Sequence, residues 1–290
     1  MIYKAKELTE FCKENNMTIA DIVLNDEMEE SGRTIQEIKS TLLEMLNVME
    51  KSANKFLKEK SVTSLGMIDG FAKMANDYAD NGNTLLGKNN VKAMAMAFST
   101  LEFSSSMGKI VAAPTAGSSG IIPAAIFRYK YENEVTDEEM INALLTAVGV
   151  GGIVGRYATF AGAEGGCQAE CGAASAMASA ALVYLKGGTL EQSLHAASIT
   201  LINILGLVCD PIAGLVEYPC TFRNASGVIN AILSADLAMS GIKSLVPFDE
   251  VVQAMGDVGK SMSYTLRETS LGGLAATETG KKIKEEFYNN

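Results

Sequence analysis

Four of the five cysteines in the 290-residue sequence lie between positions 167 and 220. Cys167 and Cys171 are four positions apart and would share one face of a helix. Cys209 and Cys220 each stand close to a proline, which predicts turns rather than helix interiors. Thiolates at helix ends and turns suit metal binding, and thiolate ligands favour zinc or iron–sulfur clusters. Spacing alone does not choose between these metals, nor does it exclude buried free thiols. Cys12 stands among charged residues and is interpreted as an incidental thiol.

A second candidate is a loop of small and hydroxyl residues that leads into a predicted helix near Pro123. Backbone N–H groups and the positive end of a helix suit an anion such as a substrate carboxylate. Thr115, Ser118, Ser119 and Gly120 are therefore predicted to bind substrate. An ordinary N-cap loop is the alternative interpretation, since serine and glycine are common at such caps.

The one histidine of the chain, His195, lies inside a predicted helix. General bases are usually histidines, but nothing near His195 in the sequence resembles a network that would orient a base. We interpret His195 as structural and assign no general base within this chain.

The elements that must position these residues are almost all helical. Capping boxes are predicted at residues 136–139 and 189–192, a buried helix at 173–185, and amphipathic helix over 35–49. Residues 61–120 look irregular. The glycines at 149–155 miss the dinucleotide pattern and favour close helix packing. We predict an all-α fold, a single mainly helical domain, with an amphipathic helical region at 1–60 and the main region at 61–290.

Composition excludes several classes of protein. A net charge of −10 argues against nucleic-acid binding, which depends on lysine and arginine. Two uncharged, Gly- and Ala-rich stretches, 141–155 and 171–185, are each 15 residues long, short of the ~20 that a spanning helix needs. No apolar segment of secretory length follows the N-terminus. A cytoplasmic protein without a membrane partner is expected.

Several long motifs resemble the bacterial iron–sulfur L-serine dehydratases. They are residues 113–124 (APTAGSSGIIPA), 164–170 (EGGCQAE), 209–220 (CDPIAGLVEYPC), 223–225 and 266–275 (LRETSLGGLA). The chain is most similar to the α subunit of the two-chain form of that enzyme. Residues 64–70 depart from the family, which usually has a Gly-Leu-Thr-Gly-Gly-like segment there.

The resemblance implies that residues 61–290 form a catalytic iron–sulfur domain. Its [4Fe-4S] cluster would be held by Cys167, Cys209 and Cys220, which leaves Cys171 as an extra thiol. It implies dehydration and deamination of L-serine to pyruvate and ammonia, with the open iron acting as a Lewis acid on the β-hydroxyl. It also implies a β subunit that supplies the general base. The alternatives are a related β-elimination enzyme for threonine or cysteine, and a non-catalytic metal-binding scaffold.

Overall fold

The computed structural model describes residues 4–289, which fold into thirteen α-helices without a β-strand among them. This confirms the all-α prediction. The helices have these bounds: α1 Ala5–Asn15, α2 Ile19–Ser31, α3 Ile35–Asn54, α4 Phe71–Asn81, α5 Lys88–Ser105, α6 Ile121–Lys130, α7 Asp137–Tyr157, α8 Gly162–Gly165, α9 Ala173–Leu185, α10 Leu190–Ile202, α11 Cys220–Met239, α12 Phe248–Ser261 and α13 Glu278–Asn289.

Helix α9 forms the centre of the fold. Its residues 173–183 are all buried, and it packs against α6, α7, α10 and α11. Most of these buried residues are alanine and serine, whose short side chains allow neighbouring helices to approach closely. The predicted helix at 173–185 is confirmed with the same bounds.

The predicted helix starts in this half of the chain are also confirmed. The hydroxyl of Thr136 accepts the N–H of Glu139, and the Glu139 carboxylate accepts the N–H of Thr136, at the start of α7. Thr189 and Gln192 form the equivalent pair at the start of α10. Each pair satisfies backbone donors that an isolated helix end leaves without partners.

The prediction that residues 61–120 are irregular is wrong, because α4 and α5 lie there. Gly70 and Gly87 precede these helices, so neither helix start carries a side-chain cap that the sequence could reveal. Residues 95–102 of α5 are all buried. The helix therefore lacks the 3.6-residue alternation of apolar and polar side chains that indicates an amphipathic helix.

One hydrophobic core joins the N-terminal helices to the rest of the chain. Its members run from Ala5 in α1 to Met255 in α12. Helix α2 packs on α7 where Gly149 has no side chain, since a Cβ there would lie 2.6 Å from Ile19. The glycines of α7 thus serve the close helix packing that the sequence favoured.

Helix α7 is the one helix in residues 4–289 with the length and apolar composition that could cross a membrane. Within the fold, 67% of that stretch is buried against other parts of the protein. Burial of this kind is typical of a core helix.

Candidate active site

Three separate elements bring the predicted cluster cysteines together. Cys167 directly precedes a π-turn, Gln168–Gly172, which leads into α9. Cys209 lies in the loop after α10, and Cys220 is the first residue of α11. All three are buried, and the negative charge of Cys167 contributes to raising the pKa values of the other two. Residues far apart in sequence thus form one buried group of thiols.

The fourth buried cysteine, Cys171, lies against Cys167. A hydrogen bond from the Cys171 thiol lowers the pKa of Cys167 more than burial raises it. The same hydrogen bond, together with burial, raises the pKa of Cys171 well above its ordinary value. Cys171 therefore keeps its proton and donates it to the Cys167 sulfur. This arrangement is consistent with the extra, non-ligating thiol that the resemblance implied.

Burial dominates the pKa values of the other two thiols. It raises the pKa of Cys209, and it raises that of Cys220 to about 12 although a helix start favours a thiolate. Bound metal reverses this preference, because a coordinating thiol is deprotonated.

Residues 4–289 contain no group of three His, Cys, Asp or Glu side chains that converges on a single metal ion. In an iron–sulfur cluster each cysteine binds a different iron, so the sulfurs need not converge on one point. Three buried thiols from three elements therefore fit the donor set of a cluster better than that of a single zinc ion.

Glu170 lies in the π-turn between Cys167 and Cys171, and sequence reasoning gave it no role. Its Oε1 accepts the hydroxyl of Thr115 at 2.9 Å, and its Oε2 lies 3.8 Å from the Cys209 sulfur, which donates to it. Burial raises the pKa of Glu170, and the negative charge of Glu268 adds to this effect. Glu170 thus joins the predicted substrate loop to a predicted cluster ligand.

Two glycines make room for this carboxylate. A Cβ on Gly162 would lie 2.7 Å from Glu170 Oε2 and 3.0 Å from the Cys209 sulfur. A Cβ on Gly117 would lie 3.1 Å from Glu170 Oε1. Any side chain at Gly162 would displace the carboxylate, so that position requires glycine for space.

The predicted substrate loop is held by its own hydroxyl groups. Thr115 Oγ1 lies 3.0 Å from Ser118 Oγ, and the Thr115 N–H donates to Ser118 Oγ at 3.4 Å. The Ser119 hydroxyl donates to the Ala116 carbonyl at 2.8 Å. Ser118 and Ser119 are fully buried, whereas Thr115 is half-buried. Of the three hydroxyls, that of Thr115 is therefore the most accessible.

Asn224 ties this loop to the third cysteine. Its side-chain oxygen accepts the Gly120 N–H at 3.0 Å. Its amide nitrogen donates to the carbonyls of Gly117 at 2.7 Å and Cys220 at 2.9 Å. Gly120 therefore already uses its N–H within the protein, and Asn224 positions the loop rather than facing the site.

A buried ion pair fixes the segment that carries Cys209. Arg223 Nη2 donates to Asp210 Oδ1 at 2.5 Å, and the two side chains are only 12% and 3% exposed. The other Asp210 oxygen accepts the Leu274 N–H at 2.7 Å. Asp210 thus connects α11 to the C-terminal motif at 266–275.

The same C-terminal motif pairs directly with the backbone of Cys209. The Cys209 N–H donates to the Leu266 carbonyl at 2.9 Å, and the Glu268 N–H donates to the Cys209 carbonyl at 2.7 Å. Residues 266–275 contain no cysteine, but they belong to the site because they hold the backbone of the predicted ligand Cys209.

Residues 64–70, which depart from the family pattern, lie beside the loop that carries Cys220. The buried Glu217 accepts the Leu65 N–H at 3.1 Å and the Thr63 hydroxyl at 3.2 Å. The departing segment therefore contacts Glu217, which stands three residues before the predicted ligand Cys220.

The structure places His195 in α10, half-buried. Burial lowers its pKa, and the charged groups that act on it are Lys243 and Glu191. Neither belongs to the candidate site. Cys12 is buried in α1, where burial raises its pKa.

A cavity of about 630 Å³ is a separate apolar groove between α3 and α7. It reaches Ala113 and Pro114, just before the substrate loop, but none of the predicted site residues lines it.

Residues 14–275 match the family model described as "Serine dehydratase alpha chain". The chain is 58% identical over 287 residues to the "L-serine dehydratase, alpha chain" of Peptoniphilus asaccharolyticus, covering 99% of this chain and 98% of that protein. It is 44% identical over 288 residues to the "Probable L-serine dehydratase, alpha chain" of Bacillus subtilis strain 168, covering 99% and 96%. The "L-serine dehydratase" of Streptomyces coelicolor is 35% identical over 277 residues, which cover 93% of this chain but 59% of that longer protein.

Proposed function

The chain belongs to the serine dehydratase alpha chain family, and on that premise we propose that it is the α subunit of an L-serine dehydratase that forms pyruvate and ammonia. The observation that carries the proposal is the match, over nearly the full length of both chains, to relatives named as α chains of this enzyme. The buried thiols and the hydroxyl loop provide chemistry that suits the reaction.

The proposed cofactor is a [4Fe-4S] cluster held by Cys167, Cys209 and Cys220. When bound, it supplies an open iron position with Lewis-acid character toward the substrate β-hydroxyl. The three thiols are buried, and Cys171 donates a hydrogen bond to Cys167, which is how outer groups tune a ligand. An oxygen-sensitive group of this kind also supports the reducing cytoplasm as its compartment.

The remaining residues of the site hold the substrate and its surroundings. Thr115 presents a hydroxyl from a half-buried position, and Ser118 and Ser119 fix the loop behind it. The Gly120 N–H donates to Asn224, and this hydrogen bond maintains the backbone geometry of the substrate loop. The Asp210–Arg223 pair keeps the Cys209 segment in place.

We propose that a β subunit completes the active site, because His195 lies beside Lys243 and Glu191 rather than in the candidate site. The longer relative supports this, since the chain covers only 59% of its length. The test is anaerobic purification of the chain alone and after co-expression with a candidate β chain, followed by assay of pyruvate from L-serine. Full activity of the chain alone would contradict the need for a partner. Turnover of L-threonine or L-cysteine that is faster than turnover of L-serine would contradict the proposed substrate.

The ligand set is tested by single substitutions in the anaerobic protein. Cys167→Ser, Cys209→Ser and Cys220→Ser are each expected to remove the brown iron–sulfur absorption and most of the bound iron. Cys171→Ala is the matched control, since it removes an equally buried thiol, and it is expected to retain the iron. A colourless wild-type protein that contains zinc would refute the cluster.

A further inference from the structure

The directions of the hydrogen bonds around Thr115 determine what the loop can bind. Thr115 donates its hydroxyl proton to Glu170 across the 2.9 Å contact. Thr115 Oγ1 has no second proton, so Ser118 must be the donor across their 3.0 Å contact. Both hydroxyl protons are therefore used within the protein. Toward a ligand, the half-buried Thr115 hydroxyl and the carboxylate offer lone pairs, whereas Ser118 is fully buried behind them.

A row of acceptors suits a cation that carries hydrogen-bond donors. The α-ammonium group of an amino acid has three N–H donors and a positive charge, as a lysine ammonium does. A carboxylate placed against the same atoms would meet lone pairs and the negative charge of Glu170. The sequence predicts that the hydroxyl loop binds the substrate carboxylate, whereas the directions of the hydrogen bonds favour the ammonium group.

The surroundings leave Glu170 available for such a cation. The nearby guanidinium of Arg223 is already paired with Asp210. Glu170 is half-buried rather than buried, and Gly117 and Gly162 approach its two oxygens without a side chain that would cover them. Cys209 now donates to Oε2 at 3.8 Å, but a metal-bound thiolate has no proton to donate. Loading of the cluster would thus free this oxygen.

We propose that Glu170 and Thr115 bind the α-ammonium group of the substrate, and that Ser118 acts as a positioning residue that fixes the Thr115 hydroxyl as an acceptor. This inference rests on the proposed function, since it concerns the same site. It assigns Glu170 the selection of amino acids over the corresponding hydroxy acids.

The test compares two ligands that differ only at this group, L-serine and L-glycerate, in which a hydroxyl replaces the ammonium. In the cluster-loaded complex with its β chain, Glu170→Gln is expected to raise KM for L-serine about 10- to 150-fold, the range for a lost hydrogen bond to a charged group. The inhibition constant of L-glycerate is expected to change less than about twofold, because it makes no ionic contact with Glu170. Calorimetric Kd values for the two ligands provide a readout independent of turnover.

Thr115→Val is the second variant, and it is expected to weaken L-serine binding in the same selective way, with rescue by Thr115→Ser. Glu134→Gln, which changes an exposed glutamate between α6 and α7, is the matched control and should alter neither ligand. Iron content and the unfolding temperature identify any variant that fails to bind the cluster or to fold. If Glu170→Gln fails in this way, the comparison of Thr115→Val with Thr115→Ser tests the inference instead. Equal weakening of both ligands, or no change in either, would overturn the inference.

Failure of the proposed function gives a different result. In that case the wild-type complex forms no pyruvate from L-serine. The same calorimetric comparison with the amino acid that does bind, and with its hydroxy-acid counterpart, would still decide whether Glu170 recognises an ammonium group.

Discussion

Replacement of Asp210 by alanine should destabilise the protein strongly. Arg223 would remain buried without its partner, and its Nη1 already has no hydrogen-bond partner. Removal of one member of a buried ion pair costs about 3–5 kcal/mol. The Leu274 N–H would also lose its acceptor, which costs about 1 kcal/mol more. With an unfolding entropy of about 2 cal/mol/K per residue, the summed loss of about 4–6 kcal/mol in this chain lowers Tm by about 7–10 °C.

The assay is urea and thermal unfolding of the reduced, iron-free chain, which separates folding from cluster binding. Asp236→Ala is the matched control, because Asp236 pairs with Lys186 on the surface, where such pairs contribute about 0–1 kcal/mol. The double variant Asp210→Ala with Arg223→Met should be more stable than Asp210→Ala alone, since no unpaired buried charge remains. A loss no larger than that of the control, or a double variant less stable than the single one, would refute the reasoning.

Two further predictions follow from the geometry. Gly162→Ala places a Cβ 2.7 Å from Glu170 Oε2 and 3.0 Å from the Cys209 sulfur, so we expect this variant to bind less iron. Gly187→Ala is the control, because Gly187 has a positive φ but open space around it. Equal iron content in the two variants would contradict the steric argument. Lys92 and Lys88 lower the pKa of Asp80 to about 2. The contacts of Asp80 with these two lysines therefore stabilise the fold at pH values above the ordinary carboxyl pKa, and this stabilisation is lost as the pH falls through about 2. An NMR titration of Asp80 should show this midpoint, and Lys92→Met should raise it; an ordinary midpoint near 3.9 in the wild type would contradict the assignment.

Helices with local signals could be predicted from the sequence. The boxes that start at Thr136 and Thr189 depend on residues three positions apart, and the structure confirms both. Helices α4 and α5 were missed because their starts follow glycines and α5 is buried around most of its circumference. These two helices are stabilised by packing against residues that are distant in the chain, and no local sequence pattern indicates such packing.

The same distinction applies to the candidate site. A cysteine is a rare residue that suggests metal binding by its type, whereas Glu170 is a common residue that stands between Cys167 and Cys171. Its partners, Thr115 and Cys209, lie 55 and 39 positions away. Only the packing of α9 against α11 and the loop before α6 brings these groups together. Spacing in the sequence therefore could not identify Glu170.

The pairing of residues 266–275 with Cys209 and Asp210 has a consequence for biosynthesis. The Leu274 N–H that Asp210 accepts is made 64 positions after Asp210 itself. While the chain is still on the ribosome, or if translation stops before this motif, the Cys209 backbone lacks the strand-like partner that fixes it. Assembly of the proposed cluster would therefore be a late event, confined to chains that have been synthesised almost to their end, and unfinished chains would not compete for clusters.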